Sequence, residues 1–250
     1  MTTSTGRRRA AVVTGAAGGL GLAVVELLLR DGIDVSMVDI DGAKLAEVAA
    51  PMGNSVHQIT ADLSSTDDCR RVVLEAVERW GNVDVLVNCA AILQRVDLFE
   101  LDEDTFARVI NTNLRSVFWL CRGFLPGMQQ RGWGRIVNVT SVGIHTGGYS
   151  VSSAVYESTK AGIHNFTKTL ARSFAREGVL VNSVAPGMMM TRMILEQTPA
   201  DVVEAVARDI PLGRGAEPRE VAEVVAFLAS QRNTYVSGAS YDVNGGTIMS

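Results

Sequence analysis

The chain predicts an α/β fold, a doubly wound parallel sheet of about seven strands with helices on both faces. Three observations predict it. Apolar runs of strand length alternate with amphipathic stretches of helical length almost to the C-terminus. The first such run opens into a glycine-rich turn that starts a helix. No low-complexity linker or internal repeat interrupts the 250 residues, so one domain over residues 1–250 is expected.

Ala10 to Thr14 is short, rich in β-branched residues and ends at a glycine, as a buried strand does. Leu20, Val24, Leu27 and Leu28 then recur at helical spacing until Asp31-Gly32 stops the run at Arg30. Ile33 to Asp39 reads as the second strand, and Gly42 to Ala50 as a helix halted before Pro51. Val56 to Ala61 is the third strand. Thr66 to Trp80 is a helix whose start carries the capping pattern Ser65-Thr66-Asp67-Asp68. Val83 to Asn88 barely alternates and so reads as a fully buried fourth strand. Glu103 to Met128 is expected as one long helix, Arg135 to Thr140 as a strand, and Ala154 to Arg176 as another helix. Val179 to Val184 is a strand ending before Pro186-Gly187. Helix signals return at Ala200 to Arg208 and at Pro218 to Ser230, and Ser240 to Val243 closes the chain as the last strand. Parallel strands joined this way need right-handed helical crossovers.

Composition excludes several classes. No segment holds the roughly 18 uninterrupted apolar residues of a membrane span. Arg7 to Arg9 precede an apolar run of only Ala10 to Val13, too short for a signal peptide's apolar region. A net charge of −4 with scattered basic residues argues against a nucleic-acid partner. Cys69, Cys89 and Cys121 are odd in number and widely spaced, which fits free thiols of a reducing compartment. His57, His145 and His164 have no metal-ligand spacing, so no metal is expected. A soluble, cytoplasmic protein is the expectation.

Two motifs carry chemistry. Thr14-Gly15-Ala16-Ala17-Gly18-Gly19-Leu20-Gly21 sits between the first strand and first helix, where Gly15 can turn tightly, Gly19 can admit a pyrophosphate and Gly21 can pack helix on strand. Asp39, in Met37-Val38-Asp39-Ile40, stands 18 positions after Gly21, close to the offset at which an acid receives the ribose hydroxyls of NAD. A carboxylate there and no basic residue in the loop favour NAD over NADP. An N-cap role for Asp39 is the alternative, though Asp41 is placed to fill it. The second motif is Tyr156-Glu157-Ser158-Thr159-Lys160. A free tyrosine titrates near pH ~10, and a cation at i+4 on the same helix face favours its phenolate. By spacing alone such a pair is common as an ordinary surface pair.

Taken together, residues 10 to 247 resemble the short-chain dehydrogenase/reductase family in its shorter, single-domain form. The resemblance rests on the Thr14–Gly21 loop, Asp62-Leu63, Asn88-Cys89-Ala90-Ala91, Asn113, Ser141, Tyr156 with Lys160, and Pro186-Gly187 with Thr191, in that order. It implies an NAD-dependent oxidoreductase that interconverts a secondary alcohol and a ketone. Tyr156 would be the general acid/base, Lys160 would lower its pKa and bond the nicotinamide ribose, and Ser141 would hold the substrate oxygen. Asn113 would anchor a relay water, with Asn111 the rival. Gly15, Gly18, Gly19, Leu20 and Gly21 would hold the pyrophosphate, with Asp39 and Ile40 beside the adenosine ribose. Asp62 and Leu63 would contact the adenine, and Asn88 and Ala90 the groove; Pro186, Gly187, Met189 and Thr191 would orient the carboxamide.

Three departures from the family stand out. Ser141 precedes Tyr156 by 15 positions where about 13 is usual, so Thr140 and Ser150 are alternatives. Ala91 replaces a glycine, and Asn244 stands where aspartate is frequent. The substrate is expected against Ser141, Gly143, Tyr149, Tyr156, Met188 and Met193, beneath a lid over about 188–211, and to be apolar or amphipathic. A homotetramer built on the helices at Glu103–Met128 and Ala154–Arg176 is implied. The competing functions are a 3-oxoacyl-carrier-protein-type reductase and, in another class, a non-catalytic dinucleotide-binding regulatory module.

Overall fold

In the computed structural model the described residues are 6–93, 95–148, 150–197 and 199–249, with the side chains at 192, 193 and 197 left aside. Seven parallel strands run β1 (Ala10–Thr14), β2 (Asp34–Asp39), β3 (Val56–Thr60), β4 (Val85–Asn88), β5 (Gly134–Val139), β6 (Val179–Pro186) and β7 (Ser240–Val243). They lie in the order β3-β2-β1-β4-β5-β6-β7. Strand order reverses between β1 and β4, and a doubly wound sheet opens its ligand crevice at the carboxyl ends there.

Side chains alternate across the sheet and build two cores. Ala11, Val13, Val85, Val87 and Val137 face one, under α1 (Gly19–Arg30), α2 (Gly42–Ala49) and α10 (Pro218–Ala229). Val12, Leu86 and Ile136 face the other, under α3 (Thr66–Trp80), α5 (Ser116–Gln130) and α7 (Ala154–Phe174). Each of these fully buried Val, Leu or Ile side chains contributes roughly 1.5–3 kcal/mol. With both faces covered, the strands can be continuously apolar, which is why β4 shows no alternation in sequence.

The expected helix Glu103–Met128 is not uniform. α4 (Glu103–Ile110) passes into a π-helical turn at Asn111–Arg115 before α5 begins. Such wide turns concentrate at functional positions, and this one carries Asn113. The short helices α6 (Gly143–Thr146) and α8 (Arg192–Gln197) were not signalled by periodicity, being under two turns long; α9 (Ala200–Asp209) was. Ser65 caps α3 by accepting from the Asp68 amide at 3.3 Å. Asp68 does not return the bond to Ser65; its carboxylate takes the Asp62 amide at 2.8 Å instead. Among the described residues no helix is long and apolar enough to cross a membrane.

Candidate active site

The site lies where the carboxyl ends of β1, β4, β5 and β6 converge. At the end of β1 the glycine loop bends through Gly15 (φ +67) and Gly19 (φ +53). A β-carbon at Gly21 would fall 2.1 Å from the Gly15 carbonyl oxygen, so only glycine lets α1 pack this tightly on the strand. Gly18 is the N-cap of α1 and offers no side-chain cap, leaving the helix N-terminus available to an anion. The fit to a pyrophosphate is therefore one of backbone shape. Leu20 is buried behind the loop. Thr14 Oγ1 accepts from the Cys89 and Ala90 amides at 3.1 and 3.0 Å, locking the turn after β4 against the loop. On the far side, Gly19 faces the Thr191 methyl, 3.5 Å from a β-carbon built there.

Asp39 ends β2 with its carboxylate on the loop: Oδ2 accepts from Ala17 N at 2.9 Å and Oδ1 from Asp41 N at 3.1 Å. The N-cap of α2 is Asp41, which accepts from Lys44 N; Asp39 is not needed for that role. Ile40 next to it is exposed, Asp62 is exposed with Oδ1 on Ser64 N at 2.9 Å, and Leu63 is buried. Asn88 is turned inward. Its Nδ2 donates to Asn138 Oδ1 at 2.8 Å, Asn138 donates on to Thr167, and Asn88 Oδ1 is buried without a partner among the described residues.

Pro186 ends β6, and a β-carbon on Gly187 would lie 2.9 Å from the Asn244 Cα, so the last strand's end sits directly on this turn. Asn244 is buried and bonds Gly246 N and the Ile248 carbonyl, a packing role for the C-terminal turn. Met188 and Met189 follow; Met189 bridges Ala216, and the Met188 carbonyl accepts from Ala216 N at 2.9 Å. The stretch after β6 is thus tied to the segment before α10. Tyr149 lies outside the described residues, and so does the Met193 side chain.

The residues expected to transfer the proton come from three segments. Ser141 follows β5, and its Oγ accepts from Gly143 N at 3.0 Å. Thr140 and Ser150 have other work: Thr140 Oγ1 donates to the Val184 carbonyl, and Ser150 Oγ accepts from Ser152 N. Tyr156 and Lys160 lie in α7, with Lys160 Nζ 5.5 Å from the Tyr156 ring centre. Lys160 is 2 % exposed and donates to the Val139 carbonyl at 2.8 Å. Burial lowers its pKa to about 8. Burial likewise pushes the Tyr156 phenol well above its ordinary value, the neighbouring Glu157 carboxyl adding to the shift and the Ser141 hydroxyl opposing it. Asn113 is fully buried. Its Oδ1 accepts from Ile92 N at 2.8 Å, while Nδ2 donates to the Ile92 carbonyl at 3.0 Å and to Thr159 Oγ1 at 3.4 Å. The π turn, the segment after β4 and α7 meet through this one amide.

Sequence reading assigns no role to three neighbours of the site: Thr14, the Val139 carbonyl and Glu157. Thr14 was visible as a hydroxyl at a strand end, but its partners lie some 75 positions away in sequence. Glu157 carried no signal beyond its place in the tyrosine motif.

A parallel sheet of this order with a glycine loop at its switch point, and Ser141, Tyr156 and Lys160 near the carboxyl end of β5, is an arrangement suited to a nucleotide-dependent oxidoreductase. The chain belongs to the short-chain dehydrogenase/reductase family. Residues 15–247 match the family model described as Enoyl-(Acyl carrier protein) reductase. An acetoacetyl-CoA reductase of Allochromatium vinosum is 39% identical over 246 residues, covering 96% of this chain and 99% of its own. A 2,3-dihydroxy-2,3-dihydro-p-cumate dehydrogenase of Pseudomonas putida is 37% identical, covering 96% and 94%. Among solved structures, a 3-ketoacyl-(acyl-carrier-protein) reductase from Brucella melitensis complexed with NADH superposes with a TM-score of 0.89 at 28% identity, covering 96% and 98%. The protein is an oxidoreductase of CH–OH and keto groups that uses a nicotinamide dinucleotide.

Proposed function

We propose an NAD-dependent dehydrogenase or reductase that interconverts a secondary alcohol and a ketone of an apolar or amphipathic small molecule, with Tyr156 exchanging the proton. The observation that carries it is the meeting of Ser141, Tyr156 and Lys160 at the carboxyl edge of β5, beside a glycine-shaped turn. A bound nicotinamide dinucleotide supplies or accepts the hydride. Gly15, Gly18, Gly19, Leu20 and Gly21 would hold its pyrophosphate, Asp39 and Ile40 its adenosine ribose, and Asp62 with Leu63 its adenine. Asn88 and Ala90 would line the groove; Pro186, Gly187, Met189 and Thr191 would orient the reacting ring. Gly143, Met188, Met193 and Tyr149 would surround the substrate under a lid over 188–211.

In reduction, Tyr156 Oη gives its proton to the carbonyl oxygen as charge develops there, and a preorganised hydroxyl beside it stabilises that oxygen. The Lys160 ammonium, held on the Val139 carbonyl, stabilises the phenolate left behind, and retains its charge below about pH 8. Asn113 would position the water that returns the proton. Asp39 supports NAD over NADP because a 2′-phosphate would meet its carboxylate. Free cysteines at 69, 89 and 121 fit a cytoplasmic enzyme. The exposed Phe106 and Phe118, the latter stacked on Phe166, fit a homotetramer contact along α4, α5 and α7.

The test is Tyr156→Phe assayed over a panel of ketones with NADH and NADPH side by side. Lost turnover with retained dinucleotide binding is expected, and retained turnover would overturn the reading; equal use of NADPH would overturn the role of Asp39. A second reading, reduction of a 3-oxoacyl thioester, is favoured by the likeness to acetoacetyl-CoA reductase. Acetoacetyl-CoA in the same panel separates the two.

A further inference from the structure

The turn between α4 and α5 reaches further than a join between two helices needs. In Asn111–Arg115 the Ser116 amide bonds back to the Asn111 carbonyl, and the Ser116 hydroxyl donates to the Thr112 carbonyl at 2.6 Å. The wider turn sends its last three side chains to different parts of the molecule. Asn113 clamps the Ile92 backbone and donates to Thr159 Oγ1 of α7 at 3.4 Å. Leu114 packs on the same helix, where a β-carbon built on Gly162 would lie 3.3 Å from its methyl group. Arg115 goes the other way: its Nη2 donates to the carbonyl of Ser64, in the segment after β3.

That segment is the one read as the adenine contact. Leu63 is buried there while Asp62 is exposed. Local bonds hold it to the start of α3: the Asp62 amide donates to Asp68 at 2.8 Å, Ser64 N to Asp62 Oδ1 at 2.9 Å, and Cys69 Sγ to the Leu63 carbonyl at 3.5 Å. Arg115 ties it to the interior of the site instead. At the opposite end, Thr159 Oγ1 receives the Asn113 amide and donates to the Tyr156 carbonyl at 2.6 Å. Bonded groups thus run from Ser64 through Arg115, the π turn, Asn113 and Thr159 to the backbone of Tyr156. A ligand that orders one end of such a chain reduces the freedom of the other.

We propose that Arg115 is a positioning residue that couples the adenine end of the dinucleotide site to the tyrosine helix. The proposal rests on the reading of Asp62 and Leu63 as the adenine contacts. Arginine suits this task because its planar fork is preorganised and its charge is permanent, so the bond to Ser64 does not depend on pH.

Two measurements test it, and neither needs turnover. In the first, AMP and nicotinamide mononucleotide are titrated separately by calorimetry into wild type, Arg115→Met and the milder Arg115→Lys. Arg115→Met is expected to weaken AMP about tenfold, the worth of one hydrogen bond from a charged donor. Nicotinamide mononucleotide should bind all three equally, and AMP should bind Arg115→Lys with intermediate affinity. An equal loss for both fragments would mean that the site has loosened as a whole, and no loss that Arg115 is a bystander; either overturns the proposal. The second is amide hydrogen exchange at saturating AMP, which reads the coupling itself. In wild type AMP should slow exchange across 111–116 and 156–163 as well as 62–66, whereas in Arg115→Met only 62–66 should slow. Protection confined to 62–66 in wild type, or spreading equally in both enzymes, would overturn the coupling. Wild type that binds nicotinamide mononucleotide but not AMP would overturn the parent reading of the adenine contacts instead.

Discussion

Asp84 at one end of the sheet and Lys160 at the other bury charge in opposite ways. At the amino ends of the strands, Asp84 is 2 % exposed and receives the Arg7 guanidinium at 2.8 Å, the Ala10 amide at 3.0 Å and Arg131 at 3.5 Å. Beside it Arg9 and Arg135 stack on Trp133, 3.5 and 4.4 Å from its ring centre, and Arg135 donates to the carbonyls of Gly178 and Asn233. At the carboxyl ends, Lys160 is as deeply buried yet has a carbonyl, not a carboxylate, for its ammonium, and Glu157 keeps an oxygen without a partner among the described residues. A paired buried charge is held by its partners. An unpaired one stays ready to change protonation, which is what a proton-transfer site requires. Asp84 is held by its partners, whereas Lys160 is held at a cost in stability that the proposed proton transfer would use.

Substitutions at each end should separate those roles. The largest effect is expected at Tyr156→Phe: turnover should drop by about 10²–10⁴, with the melting temperature nearly unchanged, since the ring still fills its site. Steady-state rates and a thermal melt on the same preparation check both halves. Asp84→Ala should do the reverse. Removing one partner of a buried ion pair leaves arginine charge uncompensated and costs about 3–5 kcal/mol. Denaturant unfolding should show that loss while kcat per folded molecule stays at the wild-type value; a kcat that fell with stability would mean the two ends are not independent. Smaller again is Asp39→Ala. It removes charged acceptors of the Ala17 and Asp41 amides, hydrogen bonds worth about 1.5–3 kcal/mol each, and should raise KM for NADH at least about tenfold while leaving NADPH little affected.

The same contrast explains what the sequence could show. Gly15, Gly19 and Gly21 are legible because their requirement is local: a positive φ or a missing β-carbon is a property of the residue itself. Tyr156 and Lys160 are legible as a spacing on one helix face. β1 and β4 are legible because burial on both faces makes them almost continuously apolar. The π turn at Asn111–Arg115 is not, since Asn113 is drawn in by the Ile92 backbone 21 positions earlier. The Asp84 cluster is not legible either. Arg9, Asp84, Arg131 and Arg135 come together only once three parallel strands begin at the same edge, and as residues they read as scattered charges. Glu157 fills the space beside Gly143 and Gly148, in a loop whose path the motif does not encode.

The smallest expected effect is also the sharpest on the carboxyl end, because its sign is fixed by burial. Burial lowers the pKa of Lys160 to about 8 in the folded protein, against the ordinary lysine value of 10.5. Below about 8 it is charged in both the folded and unfolded chain, and folding bears the full cost of burying the ammonium. Between those values the unfolded chain binds more protons than the native one, so this group's contribution to stability rises with pH. Lys160→Met, which keeps the length without the charge, should therefore melt higher than wild type at neutral pH, by a few degrees for ~1 kcal/mol in a chain of this size. The advantage should shrink steadily as pH rises from about 8 toward 10.5. The unpaired Val139 carbonyl left by the substitution is the same at every pH, so it shifts the whole curve but not its slope. Paired melts across that range decide it. A difference that is flat with pH would mean the Lys160 ammonium is stabilised in the folded state after all, and the two ends of the sheet would then bury charge in the same way.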